Sequence, residues 1–447
     1  MLALFIGVFL AALDTAVVAP ALPALRQAFG IGHRDAGLLM VVYVLCSLCS
    51  TALLAHLGDR HGRRPVFLGS VSCFALGSLL VALSGSFWML LLGRAVQGMG
   101  AGGILPTASA VIGDSVAPGE RGRALGLIGA TYGMAFVLGP PLATLLMMTL
   151  GWHWIFLVNL PVAAVVLTLA ARSLPPRRPV APSPLDLAGL VLTLLLLASL
   201  VLGITRVADD LSGLRLWPAF LLAALGALGL LCPIEARAPA PMIPLALFAR
   251  RQLALTYLLG AGAGFGMGGI VFLSSVAQLA HGIEPRHGGF VLLPLVLCSM
   301  IGSMGAGRLL DRLGARTLLL AGFGALALGY AASSVHTAGL WCFLLASMPV
   351  GLGVGIVAGG ALRAIALDEA PAAQRGAEQG LLNICIAVGT LLSAAAIGAV
   401  ADFGGGAQGL GIAYLGVATL MGLMLPAAAG LRHDSGIPLK PEPAACR

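Results

Sequence analysis

The sequence predicts an all-α polytopic membrane protein with 14 transmembrane helices in a 6 + 2 + 6 arrangement, the first and last six being two parallel repeats. Three observations carry this. Of 447 residues, 59% are hydrophobic and 9% charged, with a mean hydropathy of +1.02, whereas soluble domains carry about 25% charge. Fourteen stretches are apolar over lengths near the roughly 20 residues that cross a bilayer. A charged motif also recurs 252 residues after its first copy, in the same orientation.

The spans follow in order, each ending where charge, proline or glycine accumulates. The first, 2 to 23, could be mistaken for a signal peptide, but no basic residue precedes it and no soluble domain follows. Next come 36 to 55, 65 to 84, 87 to 113, 124 to 150 and 154 to 171. The linker "RSLPPRRPVAPSP" (172 to 184) then brings proline and arginine together. Spans 187 to 205 and 216 to 233 stand between it and a second linker, "PIEARAPAPMIPLALFARRQ" (233 to 252). The last six are 253 to 279, 288 to 307, 317 to 334, 339 to 362, 380 to 401 and 408 to 431. The expected organisation is therefore a bundle over 1–172, linkers with two inserted helices over 173–252, a second bundle over 253–431, and a tail over 432–447.

Arginine and lysine set the orientation, because they resist translocation. With the amino terminus inside, nineteen of the 25 basic residues fall on inner segments, five on outer segments, and Arg94 within a span. Both termini are thus expected in the cytoplasm. The formal charge of +8 is spread over short inner segments instead of one face, so topology accounts for it and nucleic acid is not expected as a partner. Cys46 and Cys49 have a redox or metal spacing but lie mid-span without a second ligand pair, so they read as buried small hydrophobes and no metal is expected. "GMGAGG" (98 to 103) fits a dinucleotide pattern, yet no strand precedes it, and helix packing is the better account. The sole lysine is Lys440, so there is no Walker lysine, no nucleotide is expected, and the energy source is an ion gradient.

The repeat is visible at three places. Asp59-Arg60-His61-Gly62-Arg63-Arg64 matches Asp311-Arg312-Leu313-Gly314-Ala315-Arg316; Gly98, Gly100 and Gly102 match Gly351, Gly353 and Gly355; "APGERGRALG" (117 to 126) matches "APAAQRGAEQG" (370 to 380). The first motif copy follows span 2 and the second follows span 10, so a six-helix unit was duplicated around two inserted helices. Parallel repeats of this kind build transporters whose halves rock about a midplane site.

Several stretches then resemble one family. "LGDRHGRRP" (57 to 65) is similar to the loop signature of the major facilitator superfamily. "LLGRAVQGMGAGG" (91 to 103) resembles its fourth-helix signature, and "GMAFVLGPP" (133 to 141) its fifth-helix antiporter motif. "LDTAVVAPALPAL" (13 to 25) and "GWHWIFLVNLP" (151 to 161) resemble the first-helix signature and sixth-helix opening of the 14-helix drug:H+ antiporters, the multidrug efflux type. The resemblance covers nearly the whole chain. It implies the major facilitator fold and a proton-coupled carrier, not an enzyme and without cofactor, in a bacterial inner membrane. Such carriers export small hydrophobic or amphipathic compounds, antibiotics among them.

Asp14 and Arg94 are the candidate coupling pair. They are the only charged residues within the fourteen spans, and an ionised side chain at the bilayer centre costs about 2.5 to 3.5 kcal/mol on insertion scales. Counting 1.5 Å per residue from opposite faces puts both at similar depth, so they are expected to share a water-filled cavity. There a carboxylate can carry protons, since desolvation and a nearby guanidinium act oppositely on its charge. Gln97, one turn after Arg94, is expected on the cavity wall.

The resemblance makes Asp59 and Arg63, with Asp114 as acidic partner, the clamp of a cytoplasmic gate that also holds Arg60. Asp311, Arg312 and Arg316 would brace the other half. Gly133, Gly139 and Pro140 would form the contact that stops proton leak, although Ala143 and Thr144 stand where the family favours glycine. Glu378 reads either as a second titrating group or, preferred here, as a wetted helix end. The family's helix-13 arginine is replaced by Ile386. A carrier dedicated to one natural product, siderophore or lipid is the competing reading. A polytopic enzyme is remote, because the spans hold no HExxH and no paired catalytic carboxylates.

Overall fold

A computed structural model describes residues 1–31, 33–174, 187–207, 217–237, 249–283, 291–335, 339–370, 375–404 and 407–432. Most of both linkers, the start of the span expected at 288 and nearly all of the tail lie outside the described residues. Helix stands at each of the fourteen expected places. The first six are α1 (Leu2–Phe29), α2 (His33–His61), α3 (Arg63–Ala82), α4 (Phe87–Ser115), α5 (Pro118–Thr149) and α6 (His153–Ser173). The inserted pair is α7 (Leu187–Val207) and α8 (Trp217–Glu235).

In the last six, α9 runs as Arg251–Gly268, a 3-10 turn Gly269–Phe272 and Leu273–His281. The run Leu293–Ser333 is parted at Gly314 into α10 and α11. Gly339–Glu369 forms α12, with a π-helical turn at Val357–Ala361. Arg375–Gly404 is α13 and Ala407–Ala429 is α14. Ten helical stretches among the described residues are long and apolar enough to cross a membrane; Leu2–Val18 and Val191–Gly203 are shorter apolar stretches. Several helices outrun the expected spans, as α2 does by continuing to His61, because hydropathy stops at the first charges whereas the backbone pattern does not.

Small residues dictate the packing within each half. A Cβ on Gly98 would sit 2.4 Å from the Tyr43 carbonyl oxygen, and one on Gly100 2.3 Å from the Phe74 nitrogen, so α4 is wedged between α2 and α3. In the second half, a Cβ on Gly351 would meet the Leu295 carbonyl oxygen at 1.9 Å and one on Gly353 the Gly322 oxygen at 2.7 Å, wedging α12 between α10 and α11. "GMGAGG" is thus a close-packing surface of the kind small residues give membrane helices.

The halves meet along α2 with α13 and α5 with α10. The inserted α7 rests on both α2 and α13 through Leu48, Leu197, Val201 and Ile384, while α8 packs chiefly on α7. The outer surface is apolar: Trp88, Met148, Leu222 and Trp341 are all more than two-thirds exposed. Water would not tolerate so broad an apolar face, and lipid requires one.

The duplicated motif has a backbone reason. Gly62 (φ 100, ψ 152) and Gly314 (φ 75, ψ 158) occupy the same motif position, and both adopt a conformation essentially confined to glycine. Each turns the chain from one helix into the next without a loop.

Candidate functional site

Asp14 and Arg94 meet directly. Arg94 Nη1 donates to Asp14 Oδ2 at 2.7 Å, and the side chains are 0% and 1% exposed. The expectation of a shared water-filled cavity is corrected: the pair lies in the packed interior of the first half. Three uncharged polar side chains, Gln97, Ser78 and Asn159, close a ring around it. Gln97 Nε2 donates to Asp14 Oδ1 at 2.6 Å and to Ser78 Oγ at 2.8 Å, while Gln97 Oε1 accepts from Arg94 Nη1 at 2.6 Å. Asn159 Nδ2 donates to Asp14 Oδ1 at 3.3 Å and to Ser78 Oγ at 3.2 Å. Arg94 Nε also reaches the Leu39 carbonyl at 3.5 Å, and the guanidinium lies 4.1 Å above the Tyr43 ring centroid.

The members come from five helices: Asp14 from α1, Ser78 from α3, Asn159 from α6, Tyr43 from α2, and Arg94 with Gln97 from α4, where a spacing of three residues puts them on one face. Gln97, expected on a cavity wall, is buried in this ring instead. Buried charge is tolerated only when paired and hydrogen-bonded, and Asp14 receives three side-chain donors.

A cavity of about 80 Å³ lies beside the ring, between the two halves. It is lined by Val8, Ala11 and Thr15 of α1, Tyr43 and Ser47 of α2, Ala101 and Leu105 of α4, and Asn383 of α13. None of these carries a fixed charge.

Where α2 turns into α3, beside the end of α4, Asp59, Arg63 and Asp114 come together. Arg63 pairs with Asp59 through Nη1, and its Nε donates to Asp114 Oδ2 at 3.1 Å. The contacts extend across the halves in ways sequence reasoning missed. Asp59 accepts from the Gly376 and Ala377 backbone N–H groups at 3.0 and 2.8 Å, at the start of α13, where an anion is favoured by the helix dipole. Asp114 also receives Arg375 Nη1 at 2.9 Å, and Arg121 Nη1 reaches Asp368 Oδ1 at 2.9 Å.

Arg60 is half-buried and makes none of the ion pairs recorded among the described residues. Arg312 is exposed and Arg316 half-buried; the Asp311 side chain lies outside the described residues. Gly133 faces Met300 of α10, where a Cβ would lie 3.0 Å from its Cγ, and Gly139 faces Ala16 of α1 at 2.5 Å. α5 therefore packs on both halves. The Pro140 side chain is outside the described residues. Glu378, preferred as a wetted helix end, is corrected: it is fully buried and accepts a hydrogen bond from Tyr257. Cys46 and Cys49 are half-buried, not fully buried, and the Cys49 thiol is 3.9 Å from the Leu194 carbonyl of α7.

The model of the Major Facilitator Superfamily matches residues 4–394 and 256–444. The chain is 32% identical over 407 residues to the uncharacterized MFS-type transporter YfiU of Bacillus subtilis (strain 168), covering 87% of this chain and 76% of that protein. It is 31% identical over 411 residues to the tetracenomycin C resistance and export protein of Streptomyces glaucescens, covering 89% of this chain and 74% of that one. It is 29% identical over 330 residues to the multidrug transporter protein MdtP of Bacillus subtilis (strain 168), covering 73% of this chain and 61% of that one. In fold it is similar to the human organic anion transporter MFSD10 (TETRAN), with a TM-score of 0.74 at 18% identity, covering 95% of this chain and 98% of that one. Two glycine-wedged halves, ion pairs that join their helix ends and a family match over nearly the whole length lead to one conclusion: the chain belongs to the Major Facilitator Superfamily and is a multi-pass membrane transporter.

Proposed function

We propose that the protein is a proton-coupled antiporter that exports hydrophobic or amphipathic compounds by alternating access. It would act in the bacterial cytoplasmic membrane with fourteen crossings and both termini inside. Residues 1–172 and 253–431 would move as the two lobes, with 173–252 between them and 432–447 as a cytoplasmic tail. The observation that carries this reading is the buried Asp14–Arg94 pair closed by Gln97, Asn159 and Ser78. A protein that needed only rigidity could fill this space with apolar side chains at no cost in stability. An ion pair here gives a proton a place to bind and a charge to displace.

The inner gate supports the same reading. Asp59 on the α13 amides and Asp114 between Arg63 and Arg375 hold the cytoplasmic ends of the two halves together. In this state a proton would enter from outside, neutralise Asp14 and loosen Arg94. Rearrangement of α1 and α4 would then shift the gate helices α2 and α4, which carry Asp59 and Asp114. Once inside, the proton would leave as Arg94 recaptures the carboxylate and cargo loads. Gly126, Gly129 and Gly133 of α5 against α10 would keep the central contact tight between these steps.

The export protein among the relatives is named for a single compound, tetracenomycin C. This favours a carrier dedicated to one natural product as the second reading. A compound-sensitivity panel in an efflux-deficient host separates the two. The multidrug reading expects resistance to several unrelated lipophilic compounds, lost in Asp14→Asn. Resistance to one compound class supports the dedicated carrier, and unchanged resistance in Asp14→Asn removes Asp14 from the mechanism.

A further inference from the structure

Tyr43 is the residue of the cavity lining that also touches the guanidinium of the charged ring. One face of its ring carries the Arg94 guanidinium at 4.1 Å. The residue also lines the cavity with Thr15, Ser47, Ala101 and Asn383. It is 6% exposed, and its backbone is fixed by Gly98, whose missing Cβ leaves room for the Tyr43 carbonyl oxygen. The side chain can thus shift on χ1 and χ2 while the backbone stays in place.

We propose that Tyr43 is the positioning residue through which cargo in the cavity and the proton on Asp14 sense each other, and that the cavity takes the aromatic head of an uncharged cargo. The proposal rests on the proton-coupled reading above. The cargo class follows from the lining: Thr15, Ser47 and Asn383 offer hydrogen bonds, no carboxylate is present to favour a cation, and the aromatic wall of Tyr43 is backed by a guanidinium. At about 80 Å³ the cavity has room for a ring-sized head, not a whole drug. A ring stacked on Tyr43 holds it against Arg94 and so favours the ion pair.

Protonating Asp14 has the reverse effect. Arg94 loses its counter-charge and keeps Gln97 Oε1, the Leu39 carbonyl and the Tyr43 face, so the cavity wall moves with it. Linkage makes the two effects equal in free energy. Around Asp14, α4 presents Arg94 with Tyr43 of α2 behind it, while α3 and α6 present uncharged Ser78 and Asn159. The α5 helix meets this stretch of α1 with uncharged Ala135, Gly139 and Ala143. The sign is therefore fixed: cargo favours ionised Asp14, and its affinity rises with pH.

The test is equilibrium binding of N-phenyl-1-naphthylamine, an aromatic probe uncharged from pH 6 to 8, to the purified full chain in nanodiscs. A neutral probe removes direct charge competition with the proton, leaving the wall of the cavity as the route of coupling. Wild type is expected to bind about fivefold or more tightly at pH 8 than at pH 6, the lower end of common coupling strengths. Tyr43→Phe keeps the ring and should keep the ratio. Tyr43→Leu and Asp14→Asn should bind with a ratio near one. If Tyr43→Leu fails to fold, Tyr43→Val and Tyr43→Met test the same loss of the ring. A wild-type ratio near one overturns the proton-coupled reading itself. A wild-type ratio that persists in the ringless variants overturns the role of Tyr43 alone, and no binding by wild type overturns the cargo class assigned to the cavity.

Discussion

A guanidinium at 1% exposure beside a carboxylate at 0% is a costly arrangement. Removing one partner of a buried ion pair costs about 3 to 5 kcal/mol, because the other charge is left uncompensated. Arg94→Ala is therefore expected to lower the melting temperature in detergent sharply, and Asp14→Asn added to it should restore part of the loss. An Arg94→Ala protein that melts with the wild type would contradict the pairing. Asp14 and Arg94 were legible in the sequence because they are the only charges in otherwise uncharged spans, and Gln97 followed by helical spacing. Ser78, Asn159 and Tyr43 were not, since an uncharged polar residue in an apolar helix looks the same whether it packs or holds a carboxylate. Glu378 was misread for the opposite reason: charge near a helix end suggests water, but Tyr257 of α9 comes from 121 positions away to cover it.

Helices carry the proposed gate. The spans were legible from hydropathy, and the duplicated motif marked where α2 meets α3 and α10 meets α11. Which arginine would cross to the other half was not, because the nineteen basic residues expected inside all satisfy the same topological bias. Arg375 is singled out by geometry alone, as α13 begins beside the end of α4. The Asp59 carboxylate at the α13 N-terminus adds an anion–dipole contact worth about 1 to 2 kcal/mol in a partly buried setting. Asp59→Asn is accordingly expected to shift the inner gate roughly five- to thirtyfold toward opening. Maleimide labelling of Asn383→Cys from the cytoplasmic side, in a background without the native cysteines, measures this. Faster labelling in Asp59→Asn is the predicted result, and an unchanged rate would show that the contact does not hold the gate.

Across the whole molecule the two halves share backbone design but not chemistry. At the repeat offset of 252, Tyr330 stands where Ser78 does and Gly266 where Asp14 does. The Tyr330 hydroxyl donates to the Gly266 carbonyl, and its ring lies 5.4 Å from that of Tyr414. The second half therefore fills the place of the charged ring with neutral aromatic packing. Duplication was readable in the sequence, but this divergence was not, because it appears only when the helices are brought together. In the present account the first half exchanges protons and the second serves as the surface it rocks against, with α7 touching both at α2 and α13. The most direct test uses proteoliposomes containing pyranine, an imposed pH gradient, and a compound to which the protein confers resistance. Adding that compound should collapse the gradient in wild type. It should leave the gradient intact in Asp14→Asn, which still exchanges labelled compound for unlabelled. A gradient that collapses at the wild-type rate in Asp14→Asn would contradict the account.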